Sequence, residues 1–159
     1  MVYSSPIASI YRLIMFKKIR RLFAIWGFCL LSACAQTQPK PVTLFERLGG
    51  NTGVSTVVGL SLTRAAQARN TQRSFDGIKV EAIQKSLTQQ ICSLTGGGCV
   101  YEGETMARAH QDLKINASEF DALVEILRQE LDRAGIAAVA KNELLRLLAP
   151  MKRDIVAAR

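Results

Sequence analysis

Residues 106–120 read MARAHQDLKINASEF, and this stretch decides the fold. Met106 and His110 are four positions apart, so they share one face if the segment is helical. Asn116, with Glu119 three positions later, is the capping-box arrangement that opens a helix. The stretch therefore predicts a short helix that carries the only histidine of the chain, then a turn, then the start of a long amphipathic helix.

Apolar residues at helical spacing predict further helices on both sides of this stretch. Residues 44–48 predict a short turn that Gly49 and Gly50 end. A long helix capped by Asn51 or Thr52 is predicted through about residue 68, and another over about 80–94. The predicted inward residues are Val54, Val57, Val58, Leu62, Ala65, Val80, Ile83, Leu87 and Ile91. Gln84, Lys85 and Gln89 are predicted to face outward.

The C-terminal part of the sequence predicts two more helices. The helix that opens at Asn116 carries Phe120, Leu123, Val124, Leu127 and Leu131, and Gly135 is expected to end it. A final helix holds Val139, Leu144, Leu145, Leu148, Met151 and Ile155, and Pro150 is expected to bend or split it. No stretch alternates as a strand would, so the fold class is predicted to be all-α.

Composition and charge limit the classes of function. The chain has 159 residues, 48% of them apolar and 21% charged, which is typical of one globular domain. It has 21 basic and 13 acidic residues, but five of the basic ones lie within residues 1–33. Residues 34–159 carry a net charge of +3, so we expect no binding to nucleic acid. A single histidine excludes a bis-histidine metal site within one chain.

Residues 15–34, MFKKIRRLFAIWGFCLLSAC, show the pattern of a secretory signal. We predict a signal peptide over 1–33, with Met15 as a suitable start. The sequence LSAC at 31–34 resembles a bacterial lipobox, which implies diacylation of Cys34. Residues 35–42, with three Gln or Thr residues and two prolines, predict a linker from this anchor. An uncleaved membrane helix is the alternative, but the apolar run of about 13 residues is shorter than the ~20 that span a bilayer.

The lipobox resemblance also implies a location. The lipid would tether the protein to the periplasmic face of a bacterial membrane, with no spanning segment. Ala35 stands where an aspartate commonly marks inner-membrane retention in Gram-negative lipoproteins, so the outer membrane is the expected one. Cys92 and Cys99 flank a glycine turn at 96–98, and in an oxidising compartment we predict that they form a disulfide. Two unpaired thiols are the alternative.

Several motifs in order along the chain resemble a group I truncated haemoglobin over about residues 44–156. They are FERLGG at 45–50, Gly96-Gly97, Tyr101-Glu102-Gly103, Met106, His110, Ile115 and Phe120. The resemblance implies a two-over-two helical sandwich, formed by residues 43–159, around haem b. It places the proximal iron ligand at His110 and an aromatic contact to haem at Phe75. It also places Tyr101, Met106, Ile115 and Phe120 on the proximal side of the pocket.

The distal side departs from the family pattern. Where group I members usually have a tyrosine and a glutamine that stabilise bound oxygen, this chain has Leu62 and Leu87, with Ile83 nearby. The ligand pocket is therefore predicted to consist of Leu62, Phe75, Ile83 and Leu87. A hydrogen-bond donor to bound oxygen contributes about 1–3 kcal/mol, so weak and rapidly released O2 is expected. Gln84, Gln90 and Thr88 are the alternative donors, if the helix is rotated.

Three functions are compatible with the sequence. The first is a non-enzymatic haem protein that binds O2, NO or CO. The second is a haem enzyme that removes NO or peroxide, which needs an external electron donor because the chain has no flavin, nicotinamide or iron–sulfur motif. The third is a haem-free, globin-like structural lipoprotein.

Overall fold

The computed structural model describes residues 40–157. The predicted signal peptide, Cys34 and most of the linker lie outside these residues. In chain order the α-helices are α1 (Leu44–Arg47), α2 (Gly50–Gln67), α3 (Val80–Leu94), α4 (Met106–His110), α5 (Ala117–Arg133), α6 (Ala138–Leu148) and α7 (Lys152–Ile155). Two 3₁₀ helices cover Gln72–Phe75 and Ala149–Met151. Residues 40–157 contain no β-strand, in agreement with the predicted all-α class.

The start of α2 differs from the prediction. The helix begins at Gly50, not after a cap at Asn51 or Thr52, and its N-cap is Gly49 without a side-chain hydrogen bond. Gly49 and Gly50 have φ values of 89° and 62°, a backbone region that glycine enters without steric cost. The two glycines therefore turn the chain sharply between α1 and α2. The turn predicted at residues 44–48 is a short helix with its own capping box, formed by Thr43 and Glu46.

The core lies where α2 packs against α3 and α5, and α6 covers one end of it. The most deeply buried large side chains include Leu48, Val58, Leu62, Ile91 and Leu144, each at most 2% exposed. Val80, Ile83 and Leu87 are partly buried against this core, as the spacing in α3 predicts. Burial of apolar surface of this kind is the main term that stabilises the packing of amphipathic helices.

Two predicted helix boundaries are confirmed. Asn116 and Glu119 form a reciprocal capping box at the start of α5, and the helix ends at Arg133, shortly before Gly135 at φ 71°. The final helical region is split as Pro150 predicts, because α6 ends at Leu148 and a 3₁₀ turn precedes α7. Proline has no N–H to donate and crowds the preceding turn, so the α-helical hydrogen-bond pattern stops there.

One predicted orientation is wrong. Gln84 does not face outward, because its side-chain amide donates to the main-chain carbonyl oxygen of Ser55 in α2, at 3.0 Å. The rotation of α3 is as predicted, since Ile83 and Leu87 face the core, and Gln84 lies at the border of that buried face. Val139, one of the apolar residues of the final helical region, is 73% exposed at the start of α6.

A disulfide joins Cys92, near the end of α3, to Cys99 in the following loop. Gly97 lies between them, and a Cβ added there would meet Cys92 Sγ at 2.5 Å and the Phe45 ring at 2.6 Å. The N–H of Phe45 also donates to the carbonyl oxygen of Thr95, at 2.9 Å. The loop between α3 and α4 is therefore held by contacts with both α1 and α3. Within residues 40–157, no helix combines the length and apolarity that a bilayer crossing requires.

Candidate functional site

A large apolar cavity of about 440 Å³ lies between α2, α3, α4 and α5. Its volume is within the range of roughly 300–1,000 Å³ that is typical of cofactor and small-molecule sites. All eight residues predicted to contact a cofactor line it: Phe75, Ile83, Leu87, Tyr101, Met106, His110, Ile115 and Phe120. Leu62, assigned to the ligand pocket, lines it as well. Residues separated by nearly 60 positions in the sequence thus meet at one cavity.

His110 ends the five-residue helix α4, which Thr105 caps by accepting a hydrogen bond from the N–H of Arg108. The Nδ1 atom of His110 lies 2.8 Å from the carbonyl oxygen of Met106, one turn earlier. A carbonyl oxygen only accepts, so Nδ1 carries the proton and donates it. The Nε2 atom of the neutral ring therefore has the free lone pair, which is the form of imidazole that binds a metal.

The predicted distal residues form an apolar wall. Leu62 from α2 is 2% exposed, and Ile83 and Leu87 from α3 line the same cavity. Two neighbouring hydroxyl groups already donate their hydrogen to a main-chain carbonyl oxygen. Ser61 donates to that of Val57 at 2.7 Å, and Thr71 donates to that of Ala65 at 2.5 Å. Neither leucine nor isoleucine has a polar hydrogen, so this wall offers no hydrogen bond to a small ligand.

The alternative donors considered for α3 have different surroundings. Gln84 is hydrogen-bonded to α2 and does not line the cavity, and Thr88 is buried but also absent from the lining. Gln90 does line the cavity. Its side-chain nitrogen lies 3.5 Å from Met106 Sδ and 3.8 Å from Met151 Sδ, both weak acceptors. The buried amide is therefore turned toward sulfur atoms from α4 and the C-terminal 3₁₀ helix.

The remaining predicted residues form the histidine side of the cavity. The hydroxyl of Tyr101 donates to the main-chain carbonyl oxygen of Glu104, at 3.2 Å, while its ring contributes to the lining. Ile115 is 9% exposed and its carbonyl oxygen accepts from the N–H of Ala157, at 2.9 Å. The ammonium group of Lys152 lies 5.7 Å from the centroid of the Phe120 ring. The C-terminal residues thus close this side, a contribution that local sequence patterns did not reveal.

Sequence reasoning also missed an ion pair at the cavity, between the buried Glu119 and the half-exposed Arg73. Glu119 is 7% exposed and lines the cavity, and its carboxylate accepts two hydrogen bonds from Arg73, at 2.9 and 2.6 Å. The hydrogen bonds from Arg73 hold the pKa of Glu119 below its ordinary value; burial opposes this shift, and the main-chain N–H of Asn116 adds to it. Glu119 is therefore an anion at neutral pH. The two residues are 46 positions apart, so no local motif marks them as partners.

Comparison with known proteins agrees with this architecture. Residues 43–157 match the family model for bacterial-like globins, which is more than half of the chain. The chain belongs to the bacterial-like globin family. The globin is 26% identical over 117 residues to a group 1 truncated hemoglobin of Tetrahymena pyriformis, covering 74% of this chain and 97% of the relative. It is 23% identical over 116 residues to a group 1 truncated hemoglobin of Mycolicibacterium paratuberculosis, covering 73% of this chain and 85% of the relative.

Solved structures show the same fold. The crystal structure of the Tetrahymena pyriformis truncated hemoglobin in its Fe(III) form superposes with a TM-score of 0.69 at 24% identity, covering 73% of the globin and 99% of that chain. The 2/2 hemoglobin of Synechococcus sp. PCC 7002, in the cyanomet state and with covalently attached heme, gives a TM-score of 0.68 at 22% identity, covering 72% and 98%. The predicted two-over-two helical sandwich is therefore confirmed.

The cavity of this globin fits the cofactor of its family, which is haem with its iron. The apolar lining suits a porphyrin face, and the sole histidine of the chain is at the lining with its Nδ1 engaged. Methionine, tyrosine and phenylalanine side chains around it supply further apolar contact. A site with these residues can bind haem and present the iron with one neutral imidazole.

Proposed function

We propose that this globin binds haem b through Nε2 of His110 and carries diatomic ligands, O2, NO or CO, in a cavity with an apolar distal wall. The supporting observation is the hydrogen bond from His110 Nδ1 to the carbonyl oxygen of Met106. That bond selects the tautomer with a free Nε2 and restrains the rotation of the ring. Ferrous haem, when bound, supplies an iron centre with affinity for diatomic gases.

The side chains of the cavity have separate tasks in this proposal. His110 holds the iron, while Met106 orients His110 through its carbonyl oxygen. Phe75, Ile115 and Phe120 cover the porphyrin and exclude water from it. Leu62, Ile83 and Leu87 leave room for a ligand without offering a hydrogen bond, which favours CO and NO over O2, since O2 depends more on a donor.

Absorption spectra test this function directly. The protein loaded with haemin is expected to show a Soret band that shifts on reduction and again on addition of CO. His110→Ala removes the only imidazole, so the reduced spectrum should lose the signature of histidine ligation. Asp112→Ala is the matched control, since Asp112 is exposed two positions away. A His110→Ala protein with the wild-type spectrum would refute ligation by this residue.

We also propose that the globin is exported as a lipoprotein and tethered by Cys34 to the periplasmic face of a bacterial membrane, with the outer membrane as its destination. The support is the charged and apolar pattern of residues 15–34, the LSAC sequence at 31–34, and Ala35 after it. The disulfide between Cys92 and Cys99 is consistent with an oxidising compartment. In this proposal the domain described above follows a linker that ends near residue 42.

Labelling with a radioactive fatty acid in Gram-negative cells tests the tether. The wild-type protein should incorporate label and sediment with the outer-membrane fraction, whereas Cys34→Ala should do neither. Cys29→Ala is the matched control because Cys29 lies within the predicted signal peptide and is absent after cleavage. Equal labelling of the wild type and Cys34→Ala would exclude Cys34 as the lipidated residue.

A further inference from the structure

The segment that carries His110 has little packing of its own. Helix α4 has five residues, and none of them is buried. Residues 111–116 that follow it are non-helical, with Ile115 as their only buried side chain. A segment with so few buried contacts opens easily unless long-range hydrogen bonds restrain it. The position of His110 therefore depends on whichever residues hold this segment from outside.

Arg73, in the 3₁₀ helix Gln72–Phe75, supplies such restraints. Its Nη1 donates to the carbonyl oxygen of Leu113 at 3.3 Å, and its Nη2 donates to that of Lys114 at 3.1 Å. The N–H of Leu113 donates in turn to the carbonyl oxygen of His110, at 3.1 Å. The guanidinium is thus connected to His110 through one intervening residue, Leu113.

Lys114 has an unusual backbone conformation at this contact. Its φ is 48°, the only positive value found at a non-glycine residue in the part of the chain that the structure describes. A non-glycine residue in this region persists where its surroundings impose it, at some cost. The hydrogen bond from Arg73 to the Lys114 carbonyl oxygen is a long-range contact at this residue.

Glu119 provides the fixed anchor for Arg73. The carboxylate is buried, accepts from Nε and Nη2 of Arg73, and also accepts from the N–H of Asn116 in the capping box of α5. The planar guanidinium has enough donors, in fixed directions, to engage a carboxylate and two carbonyls at once, which a lysine ammonium cannot reproduce. Arg73 is therefore oriented by α5 and, in that orientation, reaches the turn after His110.

We propose that Arg73, anchored by Glu119, is a positioning residue that holds residues 111–115 and so sets the orientation of the His110 imidazole in the haem cavity. The inference rests on the proposed ligation of haem by His110. In this role Arg73 pairs with Glu119 and donates to two main-chain carbonyl oxygens. These contacts lie where the 3₁₀ helix containing Phe75 meets the histidine segment.

Two substitutions in the haem-loaded protein test the proposal: Arg73→Gln and Arg73→Lys. The readouts are the iron–histidine stretching band of the ferrous protein, measured by resonance Raman, and the rate of haem transfer to an apomyoglobin acceptor. Loss of charged hydrogen bonds of this kind predicts haem transfer about tenfold faster in Arg73→Gln. The stretching band should broaden and shift, because the imidazole samples more orientations. Arg73→Lys should give an intermediate result.

Arg128→Gln is the matched control. Arg128 pairs with Glu125 at 3.3 Å on the same helix as Glu119, but this pair is exposed and touches neither His110 nor the turn after it. Both readouts should keep their wild-type values in this variant. If Arg73→Gln does not fold, Arg73→Lys decides the question, since it keeps the positive charge near Glu119.

The outcomes separate this proposal from the proposed function. A band at the wild-type position, with haem transfer within about twofold of wild type in both Arg73 variants, overturns the positioning role. If His110→Ala keeps the wild-type band and transfer rate, ligation by His110 fails instead. A shifted band in the Arg73 variants, together with loss of the band in His110→Ala, supports both.

Discussion

The Nδ1 atom of His110 donates to the carbonyl oxygen of Met106, 2.8 Å away and one helical turn earlier. The bond lies within α4, from its last residue to its first, and with Nδ1 as the donor the neutral imidazole has its lone pair on Nε2. This hydrogen bond restrains the rotation of the ring and, in the proposed function, leaves Nε2 to bind the haem iron. In that proposal the surrounding apolar cavity determines which ligands reach the iron.

The first prediction concerns the distal wall. Leu62→Tyr introduces a hydroxyl beside the ligand space, and we expect it to slow O2 release about tenfold to a hundredfold, since a donor contributes about 1–3 kcal/mol. The measurement is the O2 dissociation rate by stopped flow. Leu62→Phe is the control because it adds a ring of the same size without a hydroxyl. Equal rates in the two variants would show that volume, not hydrogen bonding, governs release.

The second prediction concerns pH. The pKa of Glu119 is held below its ordinary value of 4.5, so its charged form is favoured by folding. This contribution to the free energy of unfolding is complete above about pH 4.5 and is lost as the pH falls through the lower, folded-state pKa. Glu119→Gln is expected to destabilise the protein by about 1–3 kcal/mol at pH 7.

The difference between the wild type and Glu119→Gln should shrink on acidification below pH 4.5, as measured by denaturant unfolding at several pH values. Glu125→Gln is the control, because this carboxylate pairs with Arg128 at the surface and such pairs contribute about 0–1 kcal/mol. A difference that stays constant down to pH 3 would contradict the electrostatic role of Glu119.

The third prediction concerns the disulfide. Cys92 and Cys99 close a short loop, so reduction should lower the free energy of unfolding by about 2–3 kcal/mol. Cys99→Ser should have a similar effect and abolish the response to reductant. Cys99 is the residue to replace because Cys92 is 1% exposed, and its replacement would also disturb the core. Unchanged stability of the wild type in dithiothreitol would argue against a stabilising bond.

The fourth prediction separates the core from the cavity. Leu144 is 2% exposed and packs with Leu48, Val57 and Leu131, away from the cavity lining. Leu144→Ala should destabilise the protein by about 2–5 kcal/mol, the usual cost of such a truncation. The haem absorption spectrum of the folded protein should not change. Val139→Ala, at a side chain 73% exposed, should have almost no effect on either measurement.

The amino-acid sequence by itself determined the features that depend on local interactions. Asn116 and Glu119 form the expected capping box, Pro150 divides the last helix, and Met106 and His110 share the short helix that their spacing predicts. In each case the hydrogen bond or steric clash involves residues within about one helical turn of each other. The local sequence is therefore enough to predict the feature.

Only the tertiary structure decided which side chains from distant parts of the sequence meet. Gln84 reaches Ser55 while Gln90 reaches the sulfur of Met151, although both glutamines lie on α3. Arg73 finds Glu119 through the packing of a 3₁₀ turn against a helix 46 positions later. Apolar periodicity determines the buried face of a helix but not the partners of its polar side chains, and residues far apart in sequence meet only when whole helices pack.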